Sequence, residues 1–556
     1  MLFILANWIF IFVISLGMGY LFSHISGKFF DYKLKSFTDL LFAGLVVATT
    51  YAQFFSLFGK VNLAAFCIII FASFVCLWIF RKDFIIDAKN WFRNNHLIYI
   101  LSVLLLVIIW SFFTSHGYSH YDTALYHAQS IRWIEEYGVV KGLGNLHSRL
   151  AYNSSLFTTT ALFSMKYMFG QSMHTVNGWF GLLLSFTILQ GIPSIIRSRR
   201  LLLSDYACVG AFYYLTLIAD EVVSPASDYA VMCTVFFIII KWLRALEDKE
   251  GSNQIAPYAL LCIAIVYSVT LKLTACLMII LLIKPLIMLI RSKKAKQTLL
   301  YFLTGFIVVL PWLARTVILS GWLIYPFASL DLFNFDWKIP ADLVRMDSDS
   351  ITRWARAVYS SELVNAPTFE WLKNWFVTTL SRTEMLLVAG DVFVLFALII
   401  NSIWALLRKH REKADVLLVF YSLSASYLLW QFGAPDPRFG YSYILLLDLL
   451  AVGMFFFFLK KDFSIRILIT LFVAVKVLTV GKYTIDDMPS QCFIRQQDYE
   501  NFDTIAYTIF GETFYAPSDG GDRTGYSAFP STPGINENVT LRGNGLTSGF
   551  CYSNEK

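Results

Sequence analysis

Charged residues are scarce in this sequence, and no long stretch of it concentrates one sign of charge. Only 15% of the 556 residues are Asp, Glu, Lys or Arg, whereas 57% are hydrophobic. So few charges cannot give a soluble globular protein its polar surface. The net charge of +7 is spread over short Lys/Arg loops, which argues against nucleic acid as a partner. The composition predicts a protein that crosses the lipid bilayer many times.

Cysteine is also scarce, with eight residues in the chain. All but Cys492 and Cys551 lie in apolar runs, where a cysteine usually serves as a small buried hydrophobic residue. These two lie in polar sequence near the C-terminus. In an oxidising compartment they could form a disulfide that staples this segment, and we state that pairing as a hypothesis.

Long apolar runs recur along the chain and predict an all-α polytopic membrane protein with about 13–14 transmembrane helices. We divide it into N-terminal transmembrane helices at residues 1–96, a transmembrane module at 97–480 and a small extracytoplasmic tail at 481–556. The module carries two large outer loops, at 115–153 and 319–384, and the first of these is expected to contain amphipathic helices.

Basic residues between the apolar runs predict the orientation. Lys28 and Lys33 mark one cytoplasmic loop, and the basic residues between Arg81 and Arg93 mark the next one, two crossings later. The following run therefore exits on the non-cytoplasmic side, where we expect the 115–153 loop. Parity allows only an odd number of crossings after this loop, so the short apolar stretch 156–169 is expected to be re-entrant or to lie on the surface.

The loop at 115–153 concentrates titratable side chains that the preceding apolar sequence lacks, namely His120, Asp122, Tyr126, His127 and Glu135. Such a cluster beside a membrane is typical of a functional site. We therefore predict that Asp122, His120, Tyr126 and Glu135 are catalytic and that His127 binds substrate.

Helical spacing places Asp122, Tyr126 and Gln129 on one face of a helix that lies along a surface. An alternative role for Asp122 is helix capping, because Ser119 precedes it in an S-x-x-D pattern. The two histidines are expected to be hydrogen-bond partners rather than metal ligands, since their spacing forms no metal motif.

Four further charged residues fall on the same predicted side of the membrane. Lys272 lies at the apex of a predicted hairpin in SVTLKLTA, Arg315 lies near the outer end of a helix, and Asp228 and Arg438 lie in outer turns. Each also has a simpler interpretation: snorkelling for Lys272, ion pairing for Arg315, a solvated turn for Asp228 and a headgroup anchor for Arg438. Carboxylates opposed to such cations suit displacement at a carbon that bears a phosphate leaving group.

The segments HYDTALYHAQSIRWIEEYG, SPASDY, TLKLTA and RTVILSGWLIYP, within residues 97–441, resemble the GT-C class of membrane glycosyltransferases. This class uses polyprenyl-phosphate-linked sugars and includes aminoarabinose transferases and protein O-mannosyltransferases. The chain looks most like bacterial members linked to surface-polysaccharide synthesis. The resemblance implies that the site faces the periplasm or exterior at a bacterial inner membrane.

The resemblance also implies that Asp122 activates the acceptor or binds a divalent metal, Mg²⁺ or Mn²⁺, and that Lys272, Arg315 and Arg438 hold the donor phosphate. Many members carry paired acidic residues at this position, whereas here the neighbour of Asp122 is Tyr121. The metal requirement is therefore left open.

The predicted function is transfer of a sugar from a polyprenyl-phosphate donor to a lipid-linked or polysaccharide acceptor. A polysaccharide polymerase or ligase and a lipid-linked glycan transporter are the alternatives.

Overall fold

A computed structural model describes residues 1–34, 36–197, 200–248, 252, 254–358, 367–408, 414–459, 462–486, 490–509, 511–534, 536 and 538–553. Helices dominate this part of the chain, and four short strands lie near its C-terminus. The helices are α1 Leu2–Phe30, α2 Phe37–Ser56, α3 Leu63–Ile79, α4 Arg81–Asn94, α5 Leu97–Ser115, α6 Ala128–Tyr137, α7 Leu143–Leu146, α8 Ser155–Leu162, α9 Lys166–Phe169, α10 Val176–Arg197, α11 Leu203–Leu217, α12 Ser227–Glu247, α13 Ala259–Leu271, α14 Ile283–Arg291, α15 Ala295–Ser320, α16 Ala341–Ala355, α17 Thr368–Thr378, α18 Arg382–Arg408, α19 Ala414–Phe432, α20 Tyr441–Leu459 and α21 Asp462–Asp486.

Apolar helices confirm the prediction of a multi-helix membrane protein. Within the described residues, ten helices are long and apolar enough to cross a bilayer, or eleven if the bent pair α3 and α4 counts as one span. These two helices meet at 78°, and α4 carries the basic residues Arg81, Lys82, Lys89 and Arg93. The larger number of about 13–14 crossings stays a prediction, since it needs helices shorter than a full span.

Two apolar stretches are interrupted. Residues 155–169 form only the short helices α8 and α9, which are too short to cross a bilayer; that the stretch 156–169 is re-entrant or lies on the surface stays a prediction. The long apolar stretch after Ala259 breaks at Lys272, whose backbone is extended between α13 and a 3₁₀ helix at Leu273–Leu282. The two arms pack against each other, so Lys272 lies at the apex of a hairpin.

Close packing of α1 against α2 depends on glycine. A Cβ atom on Gly44 would lie 1.7 Å from the carbonyl oxygen of Ser15, and one on Gly19 would lie 2.2 Å from that of Leu40. Small residues allow helix backbones to approach in this way inside membranes. The pair packs beside α8 and α15, which border the loops at 115–153 and 319–384.

The C-terminal tail packs on the first loop. Strand β1 (Thr504–Ile509) pairs antiparallel with β2 (Glu512–Pro517), and β3 (Val539–Leu541) pairs antiparallel with β4 (Phe550–Tyr552). Phe514 and Phe550 of these strands are fully buried in a cluster with Trp133 and Leu143 of the loop. The tail therefore completes a core that neither segment forms alone.

The hypothesis of a Cys492–Cys551 disulfide is wrong, because both thiols are free. The Cys551 sulfur, in β4, lies 3.0 Å from the hydroxyl oxygen of Thr540 on the paired strand. Cys492 instead lies beside the N-terminus, where its carbonyl accepts a hydrogen bond from the Met1 ammonium group. Strand pairing and core burial hold the tail in place of a covalent link.

Gly44→Ala tests the helix contact. We expect it to destabilise the protein by about 1–3 kcal/mol, because the added methyl group overlaps backbone that cannot move aside. The matched control is Gly481→Ala in α21, where a Cβ atom meets nothing within 4 Å. Thermal unfolding in detergent should show a lower Tm for the Gly44 variant alone, and equal Tm values for both variants would contradict the packing argument.

Candidate functional site

A π-helical turn at Thr123–His127 shapes the first loop. The Ala128 amide donates to the carbonyl of Thr123, in the i→i−5 pattern that distinguishes a π-helix from an α-helix. The carbonyl of Ala124 is thereby released and accepts the backbone amides of Thr524 and Gly525 from the tail. This irregular turn thus places the catalytic candidates and provides a docking point for the tail.

A rigid turn between α19 and α20 directs Arg438 into the site. Pro435 and Pro437 restrict the backbone on both sides of Asp436. The side chain of Asp436 accepts the Arg438 amide at 3.0 Å, and its carbonyl accepts the Trp430 indole N–H at 2.7 Å. These hydrogen bonds fix the backbone of the turn from which the Arg438 side chain extends.

Arg438 connects this turn to the first loop. Its Nη2 donates to Asp122 Oδ2 at 2.9 Å, and its Nη1 donates to His120 Nδ1 at 3.0 Å. Asp122 makes no capping hydrogen bond to its own helix, so the capping interpretation of this residue is wrong. Arg438 is likewise bonded within the protein rather than serving only as a headgroup anchor.

A hydrogen-bond chain continues from His120. Because arginine can only donate, Nδ1 of His120 must accept, and the ring proton of the neutral imidazole lies on Nε2. Nε2 contacts the hydroxyl group of Tyr229, which donates to Glu221 Oε2 at 2.7 Å. This hydrogen-bond chain runs from Arg438 through His120 and Tyr229 to the Glu221 carboxylate. Each member donates to the next one in this order.

Asp228 and Lys272 form a second pair beside the first. Lys272 donates to Asp228 Oδ1, and its ammonium group lies 3.6 Å from the centre of the Phe439 ring. Asp228 is buried, with 5% of its surface exposed, so the interpretation of this residue as part of a solvated turn is wrong. Arg438 also lies over Phe439, at 4.8 Å, which brings the two cations to one aromatic ring.

The charges of this cluster hold Asp122 ionised. Burial is the largest single effect and would raise the pKa of Asp122. The charge and hydrogen bond of Arg438, together with the nearby His127 and His120, outweigh it, and the pKa lies below its usual value. Burial alone would lower the pKa of Arg438, but Asp228, Asp122 and Asp436 raise it overall. Both groups are therefore charged across the neutral range.

Tyr126 and His127 are neutral members of the site. Burial raises the pKa of the Tyr126 phenol, and nearby Asp122 and Asp228 add to the rise. Burial lowers the pKa of His127 to about 3 against the opposing effect of the same two carboxylates. His127 is only 2% exposed and packs on Phe157, so its position is that of a buried support.

Two predicted site residues lie apart from this cluster. Arg315 is 2% exposed, and it donates to Asn153 Oδ1 at 3.2 Å and to the Ser56 hydroxyl group at 2.5 Å. Glu135 is buried under the tail, where it accepts the hydroxyl groups of Ser172 and Tyr526. Glu135 therefore contacts the tail and not Asp122. Its hydrogen-bond partner Tyr526 is distant from it in sequence.

Several members of the cluster escaped prediction. Glu221 belongs to an acidic turn whose composition indicates only solvated sequence, and Tyr229 directly follows Asp228. Asp436 lies two residues before Arg438, and this spacing could have predicted a local contact between the two side chains. The contacts between the tail and the first loop, such as that of Tyr121 with Asp522, could not be predicted from the local sequence of either segment.

The donor atoms form no ready metal site. Among the residues that the structure describes, no group of three His, Cys, Asp or Glu side chains is arranged to hold a metal ion. Both nitrogens of His120 and one oxygen of Asp122 already have partners within the protein. The possible Mg²⁺ or Mn²⁺ therefore enters no step of the proposed reaction.

Comparison with known families places the chain in one of them. A family described as a domain of unknown function (DUF8201) matches residues 1–445. The chain belongs to this family, and the matched range includes Asp122, Asp228, Lys272 and Arg438. No match was found among curated proteins.

Tyr526→Phe tests how the tail is held. Burial raises the pKa of Glu135, and the hydrogen bonds from Tyr526 and Ser172 oppose that rise. Removing the Tyr526 hydroxyl group leaves a buried carboxylate less satisfied, at a cost of about 1–3 kcal/mol. Tm should fall and protease should cut the tail faster. Tyr515→Phe in β2 is the control, and an equal response of both variants would contradict this role.

Proposed function

We propose that the chain is an integral membrane glycosyltransferase of the GT-C type. It would move a sugar from a polyprenyl-phosphate donor to a lipid-linked or polysaccharide acceptor on the outer side of a bacterial inner membrane. The observation that carries the proposal is the joining of Asp122 to Arg438, beside the Asp228–Lys272 pair, at the ends of apolar helices. This arrangement sets a base next to two cations where a lipid-linked phosphate can approach.

Asp122 is the proposed general base. Its Oδ2 is bonded to Arg438, and no described side chain donates to its Oδ1, so this oxygen can accept the proton of an acceptor hydroxyl group. The acceptor oxygen then attacks the anomeric carbon as the bond from that carbon to the phosphate oxygen breaks. Attack opposite to the leaving group gives inversion at the anomeric carbon.

Arg438 and Lys272 are the proposed phosphate-binding residues. The polyprenyl phosphate leaves with the electron pair of the broken bond, and fixed cations stabilise that charge. Arg438 lies over the Trp354 ring at 5.5 Å, so the second outer loop lies close to this position. Arg315 keeps no phosphate role in the proposal, because its donors serve Asn153 and Ser56.

Donor binding would also change the base. A phosphate bound to Arg438 competes with Asp122 for the same guanidinium donors. Because Arg438 is what lowers the pKa of Asp122 against burial, loosening this pair raises the pKa and strengthens the base. The proposed order is therefore donor first, followed by activation of the acceptor.

Asp122→Asn tests the catalytic role. We expect transfer of radiolabelled sugar from a panel of polyprenyl-phosphate sugars to fall by about 10²–10⁴, the usual effect of a lost general base. Asp519→Asn, an exposed aspartate in the tail, is the matched control and should keep full activity. Equal transfer by Asp122→Asn and the native protein would exclude Asp122 as the base.

Arg438→Gln tests the electrostatic link through pH. The rate must fall as pH drops and the base becomes protonated. Without Arg438 the pKa of Asp122 rises, so the acid limb of kcat/KM should move to higher pH, while kcat/KM itself falls by about 10² or more. Arg542→Gln is the control, since that arginine pairs with Asp336 in another part of the molecule. An unmoved acid limb in Arg438→Gln would contradict the link.

The size of the product separates the proposal from its alternatives. A single added sugar supports the transferase, whereas transfer of a preassembled oligosaccharide would indicate a polymerase or ligase. Movement of the lipid-linked glycan across vesicles without a new glycosidic bond would indicate a transporter.

A further inference from the structure

A buried carboxylate without a partner lies inside the helix bundle. Asp391 of α18 is 0% exposed, and neither of its carboxylate oxygens has a hydrogen-bond partner among the described residues. A lone ionised carboxylate in apolar surroundings is strongly disfavoured. Asp391 therefore needs a bound proton or a bound cation.

A second carboxylate adjoins it from the neighbouring helix. Asp448 of α20 packs against the backbone of Gly390, where a Cβ atom would lie only 2.5 Å from Asp448 Oδ1. Gly390 directly precedes Asp391, so the absence of a side chain there is what admits the second carboxylate. Asp448 acts electrostatically on Asp391, so ionisation of one carboxyl group inside the membrane disfavours ionisation of the other.

An apolar cavity leads to this pair from the lipid side. The cavity holds about 690 Å³, and its only acidic lining residue among those described is Asp448. Phe393 and Phe455 on its wall are 74% and 59% exposed, so it opens toward lipid. A hydrophobic reagent can therefore reach Asp448, whereas Asp391 lies behind it.

The spacing of polar residues on α18 and α20 connects the acid pair with the candidate site. Asp391 follows Glu384 by seven residues on α18, and Asp448 follows Tyr441 by seven on α20. The Tyr441 hydroxyl group donates to Glu384 at 2.5 Å. The acid pair therefore lies two helical turns inward from the Tyr441–Glu384 contact. Tyr441 itself lies three residues after Arg438.

Other titratable groups near the pair are few. Tyr427 of α19 interacts electrostatically with both carboxylates, and its hydroxyl group donates to Gln431 at 3.4 Å. From α11, Tyr206 packs on Gly453 further along α20. Lys476 of α21 lies over the ring of Tyr213. None of these donates a hydrogen bond to either carboxylate in the described part of the chain.

We propose that Asp391 and Asp448 form a proton-binding site inside the membrane, in which the pair holds one proton at neutral pH. Loss of this proton would place two negative charges at the contact between α18 and α20. Helix α20 begins directly after the turn that holds Arg438, and α18 contacts the first residue of α20 through Glu384. The site stands on its own observations and does not depend on the proposed glycosyl transfer.

Dicyclohexylcarbodiimide tests the proposal, because it is hydrophobic and reacts only with a protonated acid. The acid proton passes to a carbodiimide nitrogen, the carboxylate adds to the central carbon, and the adduct rearranges to a stable N-acylurea. In the full-length protein in detergent, mass spectrometry should find Asp448 labelled near pH 6 and much less labelled near about pH 9, as the proton held by the pair is lost. A water-soluble carbodiimide should leave it unlabelled.

Asp415 is the matched control. It also lies on a helix of this bundle, but its side chain is 49% exposed and paired with Lys284, so it should resist the hydrophobic reagent. In Asp391→Asn, Asp448 loses the neighbouring charge that favours its protonated form, and its labelling should decline about one pH unit or more lower than in the native protein.

Three results would overturn the proposal. They are no labelling of Asp448 near pH 6 in protein shown to be folded, an identical pH dependence in Asp391→Asn, or protection by sodium ions at constant pH. The last of these would assign the site to a metal cation. Failure of the sugar-transfer experiment would leave this result unaffected, so the two proposals are tested separately.

Discussion

The contact of Arg438 with Asp122 and His120 is the interaction on which the rest of the site depends. It joins a proline-stiffened turn to a loop far away in sequence, and both partners are partly buried. A buried cation that loses its carboxylate partner is costly, so the turn and the loop must be placed together. The His120–Tyr229–Glu221 chain and the Asp228–Lys272 pair then fit around this contact.

The tail and the π-helical turn hold the loop side of this contact in place. The released carbonyl of Ala124 binds the tail backbone, and Glu135 accepts the Tyr526 hydroxyl group below it. Glu135 was expected to act in catalysis, yet its contacts connect the loop to the tail. A residue that looks catalytic in sequence can therefore serve to position the residue that does the chemistry.

Much of the architecture follows from simple sequence patterns. Apolar runs and basic loops predicted the many apolar helices and the break at Lys272, because each reflects a local balance between hydrocarbon and charge. Asp122, Asp228, Lys272 and Arg438 were grouped because topology put them on one side, and the structure brings them together. Their role in catalysis stays a proposal.

The features that the sequence did not predict have physical causes as well. The burial of Arg315, the partner of Glu135 and the free state of Cys492 and Cys551 depend on contacts between segments far apart in sequence. The π-helical turn depends on the tail that binds it, and the Asp391–Asp448 pair depends on the approach of two helices at Gly390. No local periodicity encodes such contacts.

A double-mutant cycle between Asp122→Asn and Arg438→Gln tests most directly whether this contact organises the site. Unfolding free energies of the native protein, the two single variants and the double variant isolate the pairwise interaction. We predict a coupling of about 1 kcal/mol or more, because either single change leaves a partly buried charge without the opposite charge of this pair. Additive effects would show that the two residues do not act as a unit, and would contradict the central role of the Arg438–Asp122 contact.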